Sequence, residues 1–127
     1  MLALEDLKSL SEEEIKKHLI NEYTADPDVL DGLEILIAYE SVGSWGCDSS
    51  SFFLFKNKET GELFEVHGSH CSCYGFENQF DLESTAVEAL KFRVQKGKYC
   101  SVFYTGGYDS NSEENIRLVN EYIQSLN

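Results

Sequence analysis

Positions 67 to 75 read His67-Gly68-Ser69-His70-Cys71-Ser72-Cys73-Tyr74-Gly75, so two of the chain's three histidines and two of its four cysteines fall within seven positions. Imidazole and thiolate are the side chains that ligate zinc and do nucleophilic work. A zinc site wants about four ligands in a tetrahedron, usually from two short knuckles of the Cys-x2-Cys kind. The spacing here is Cys71-x-Cys73, with His70 adjacent and His67 three residues earlier, and there is no second knuckle. His67, His70, Cys71 and Cys73 are the candidate zinc ligands, and Cys47 from the preceding loop, or Cys100, would complete the set. The competing reading makes the cysteines small packing residues in reduced form.

A cysteine nucleophile is the other chemistry these residues allow. Cys71 or Cys73 would supply the thiol, His70 or His67 the base, and Glu40, Asp48 or Glu77 the group that orients the base. Adjacency does not make such a triad, because neighbouring side chains on an extended strand point apart. A second unusual stretch runs from Gly43 through Trp45, Cys47 and Asp48 to Ser51. An exposed indole at Trp45 would give a partner large contact area, whereas a buried one would lid the sheet. The stretch holds no lysine and no Gly-x4-Gly-Lys pattern, so it is not a phosphate cradle.

The elements that must position these residues are readable from local pattern. Ser11 followed by Glu14 is a capping box, Leu10 and Ile15 form its hydrophobic staple, and Ile15, Leu19, Ile20 and Tyr23 line one helical face. Asp26-Pro27 opens a single turn that Gly32 closes. Leu33 to Val42, Ser51 to Lys56 and Leu63 to His67 read as strands, the last two joined by the turn-rich Asn57 to Glu62. In the third strand Phe64 and Val66 would face the core and Leu63, Glu65 and His67 the opposite side. A second capping box at Thr85 and Glu88 opens a helix carrying Val87, Leu90 and Val94 and ending at Gly97. Tyr99 to Thr105 reads as a further strand before the Gly106-Gly107 break. The last helix starts near Ser112 with Ile116, Val119, Tyr122, Ile123 and Leu126 on one face. The expected fold is α+β: one domain over residues 1–127, with an antiparallel three- to four-stranded meander packed by an N-terminal helix and two C-terminal helices.

The 127 residues are 42% apolar and 13% aromatic, enough for a core. Ten Lys and Arg face 23 Asp and Glu, a net charge of −13. The excess is concentrated at the start, where residues 1–40 hold 11 acids and three bases. A field of that sign repels phosphate, which argues against direct nucleic-acid binding and against anionic membranes. It favours basic protein surfaces, including proteins that normally hold DNA or RNA. There is no export signal and no run near the ~20 apolar residues that cross a bilayer, so the expected location is cytoplasmic, with thiols reduced.

The run Leu63 to Phe76, with Tyr39-Glu40 upstream, Lys58 to Glu62 before it and Glu83-Ser84-Thr85 after it, resembles a family of small uncharacterised bacteriophage and prophage proteins sharing a Gly-Ser-His-Cys-Ser-Cys-Tyr-Gly-type motif. The likeness covers about residues 39 to 95 and brings no activity or catalytic residues with it. It implies a non-structural accessory protein acting in the host bacterial cytoplasm. Joined to the charge, it predicts binding to a basic host protein, such as a nucleic-acid-binding or defence protein, without catalysis. Glu12, Glu13, Glu22, Asp26, Asp28 and Asp31 form the candidate face, with Trp45. A zinc-binding domain is the second reading and a cysteine-dependent enzyme the third.

Overall fold

The Ser11 hydroxyl accepts the Glu14 amide at 3.2 Å while the Glu14 carboxylate accepts the Ser11 amide at 3.0 Å, so the expected box opens helix α1 (Glu12–Tyr23). Asp26 caps the short helix α2 (Pro27–Asp31), its carboxylate accepting the Asp28 amide at 2.9 Å. The computed structural model describes residues 1–41, 49–70, 76–95 and 112–126. Among them a five-stranded sheet runs in the order β1 (Leu2–Glu5), β2 (Leu33–Ser41), β3 (Ser49–Asn57), β4 (Leu63–His70) and β5 (Glu83–Thr85). Helices α3 (Val87–Gln95) and α4 (Ser112–Gln124) follow.

The α+β class is as expected, but the sheet is mixed rather than antiparallel. β1 pairs parallel to β2, with Leu2 opposite Ile37 and Glu5 opposite Glu40, while the other pairings are antiparallel. A parallel return needs a long connection, and residues 6–32, carrying α1 and α2, supply it. Glu83-Ser84-Thr85, expected to begin a helix, is the edge strand β5. Thr85 pairs with Leu63, and the Ala86 carbonyl accepts the first α3 amide, from Leu90. Ser49 and Ser50, expected in a loop, already belong to β3, and β4 continues three residues past His67. The expected strand over Tyr99 to Thr105 and the Gly106-Gly107 break lie outside the described residues, as does the 43–48 stretch.

The sheet is covered on both faces. Ile15, Leu19 and Tyr23 of α1 and Leu30 of α2 pack on Ile35, Ala38, Phe53, Phe55 and Val66. On the other face Leu90 of α3 and Val119 and Ile123 of α4 meet Ile37, Tyr39, Phe52, Leu54 and Leu63. That explains why β2 and the Phe52-Phe53-Leu54-Phe55 run read as unbroken apolar stretches: both parities are buried. Each such side chain contributes about 1.5–3 kcal/mol relative to exposure. Leu63 and Glu65, expected on the side opposite the core, are therefore interior too, 7% and 3% exposed.

The hairpin between β3 and β4 turns on Gly61, whose φ of +77° suits glycine. The Asn57 carboxamide accepts the amides of Glu59 and Thr60 within it. At the other side of the sheet β1 begins opposite Ile37, beside a bulge between Ile35 and Ile37. There Glu12 accepts the Ile35 amide at 3.0 Å, and the Lys16 ammonium donates to the Leu33 carbonyl at 2.6 Å.

Candidate functional site

His67, the first member of the sequence cluster, stands on β4, as the strand reading of Leu63 to His67 expected. Its Nε2 lies 3.0 Å from the Glu65 carboxylate on the same strand, and its ring sits 5.1 Å from that of Phe52 across the ladder. His70 ends β4, its backbone opposite Ser49. Cys47, Cys71, Cys73, Cys100 and Trp45 lie outside the described residues. Among the described residues no group of three His, Cys, Asp or Glu side chains is arranged to hold a metal.

The structure joins a constellation that spacing does not show. Glu40, 4% exposed, accepts the Tyr23 hydroxyl at 2.6 Å and lies 2.9 and 3.1 Å from His18 Nε2. Tyr23 is clamped by aromatic neighbours, stacked on Phe76 at 4.7 Å and edge-on to Phe53 at 5.5 Å. Burial, reinforced by the Glu40 charge, pushes the Tyr23 phenol far above its ordinary range. The hydrogen bond to Glu40 holds the His18 proton above the usual imidazole value, against the opposing effect of burial, and Glu22 and Asp6 add in the same direction. Glu40 had a signal of its own in the sequence: a carboxylate in an apolar core strand needs partners.

Beside this cluster the backbone packs closely. A Cβ on Gly68 would stand 2.5 Å from the Ser51 hydroxyl oxygen and 3.0 Å from the Phe76 ring, so this register position needs glycine. Among the described residues, the hydroxyls of Ser49 and Ser50 are buried without a hydrogen-bond partner. The hydrogen bonds that His18 and Tyr23 make to Glu40 tie α1 to the sheet.

The acidic residues singled out by charge divide into two groups. Glu12 is half-buried, bonded to the Ile35 amide and 3.6 Å from Lys16. Glu13, Glu22, Asp26, Asp28 and Asp31 are exposed along α1, its exit and α2. No family model, curated protein or solved structure matches the chain. Among the described residues no helix is long and apolar enough to cross a membrane.

The α1–α2 junction carries one more feature. Thr24 caps α1 in the left-handed region at φ 60°, unusual for a β-branched residue. Its hydroxyl accepts the amide of Asn78, itself at φ 61°, which ties the segment after Phe76 to the helix exit. A cleft of about 310 Å³ opens between the two.

Proposed function

We propose that the chain is a small acidic accessory protein of bacteriophage origin that works in the host cytoplasm by binding the basic surface of a host protein, without catalysis of its own. One observation supports this reading above the others. Glu13, Glu22, Asp26, Asp28 and Asp31 are all exposed, and from His18 to Phe55 the chain has no Lys or Arg to answer them. Carboxylates spread over a helix and its connector can stand in for the phosphates that a nucleic-acid-binding protein recognises. Glu12 adds charge to that field but is held by the sheet edge, so contact falls to the exposed acids, with Trp45 as a candidate anchor.

The test is capture from bacterial lysate by the wild-type chain and by a variant carrying Glu13→Gln, Glu22→Gln, Asp28→Asn and Asp31→Asn. A basic protein retained by the wild type, released by a few tenths molar salt and lost from the variant is the expected result. Equal retention by the variant would overturn charge-based recognition.

A further inference from the structure

We infer that the cleft between the α1 exit and the segment after Phe76 seats one arginine side chain of the partner, an assignment that rests on the acidic-binding reading above. The cleft is walled by Ala25, Val29, Phe80 and Leu82, and the exposed carboxylates Asp26 and Asp81 line it as well. At about 310 Å³ it lies at the small end of ligand-sized clefts, roughly 300–1,000 Å³, which suits a single side chain better than a peptide.

The occupant follows from chemistry. Apolar walls with two carboxylates call for a group that is aliphatic along its length and cationic at its tip. Arginine fits better than lysine, because its planar fork presents five donors and can serve both carboxylates, and it sheds water more readily. Val29, 41% exposed, is one of the few large apolar side chains left open on the described surface and would cover the stem. Asp26 is already oriented, since one of its oxygens accepts the Asp28 amide, so pairing it orders little that is not ordered beforehand. The Thr24–Asn78 hydrogen bond holds the two walls together.

The experiment is an amide-resolved NMR titration with the capped peptide Gly-Arg-Gly and, in parallel, its uncharged citrulline counterpart. The arginine peptide should shift resonances of residues 24–29 and 80–82, and the citrulline peptide should not. The Asp26→Asn, Asp81→Asn variant should bind at least tenfold more weakly, and Asn at position 26 preserves the helix cap. Shifts spread evenly over all exposed carboxylates, or unchanged affinity in the variant, would overturn the cleft. The binding reading would then stand or fall separately on the four-residue variant above, which leaves Asp26 and Asp81 intact. A cleft that seats the peptide while the lysate yields no charge-dependent partner would keep the site and remove the host-protein reading.

Discussion

Two buried carboxylates each hold a histidine, Glu40 with His18 at 2.9 Å and Glu65 with His67 at 3.0 Å. The histidine side chains are comparably open, 28% and 33% exposed. Their origins differ. Glu65 and His67 lie two apart on β4, and the pleat alone puts such residues on one face. Glu40 and His18 come from different layers, 22 positions apart, and meet only when α1 is docked on β2. The first pair reports a strand; the second reports the assembled fold, with Tyr23 bound into it.

Breaking the long-range pair should therefore do the most damage. Glu40→Ala leaves the Tyr23 hydroxyl and His18 without their acceptor, and removing one partner of a buried ionic pair costs about 3–5 kcal/mol, to be read from urea unfolding. A loss under about 1 kcal/mol would mean that the cluster adds little to docking.

The next effect is on pH. Because the folded protein holds the His18 proton more tightly than the unfolded chain does, it keeps more of it than the unfolded chain as pH rises past the ordinary imidazole value near 6.5. Stability from this pair is complete below that value and is lost as pH climbs through the higher folded value. His18→Gln should flatten the slope over that window; an unchanged slope would place its origin elsewhere.

The smallest effect belongs to the local pair. His67→Ala takes one partner from the buried Glu65 carboxylate but unties no second element from the sheet, and should cost about 1–3 kcal/mol. A loss as large as that from Glu40→Ala would erase the distinction between the two pairs.

What was legible in the sequence follows the same division. The Ser11–Glu14 box, the Asp26-Pro27 turn and the Gly61 hairpin are decided by residues within a few positions, and each stands where expected. β1 and β5, four and three residues long, carry too little periodicity to read and exist because β2 and β4 offer them ladders. Glu83-Ser84-Thr85 has the composition of a helix cap as much as of an edge strand, and pairing with β4 decides it. Glu40 was visible as an acid that could orient a base, but its partners were not. His18 alone looks like any surface helix residue until the sheet beneath it is in place. The crowded motif after Val66 drew attention by composition, yet its first residues are strand, and Gly68 is there to clear Ser51 and Phe76.

Glu12 and Lys16 carry a consequence for how copies of the chain behave at high concentration. A strand edge that offers free amides and carbonyls is a template for self-association. Ahead of β1, β2 would present such an edge, but a carboxylate and an ammonium from α1 already occupy the Ile35 amide and the Leu33 carbonyl. Those two charges make the rim a poor seed for stacking one molecule onto the next.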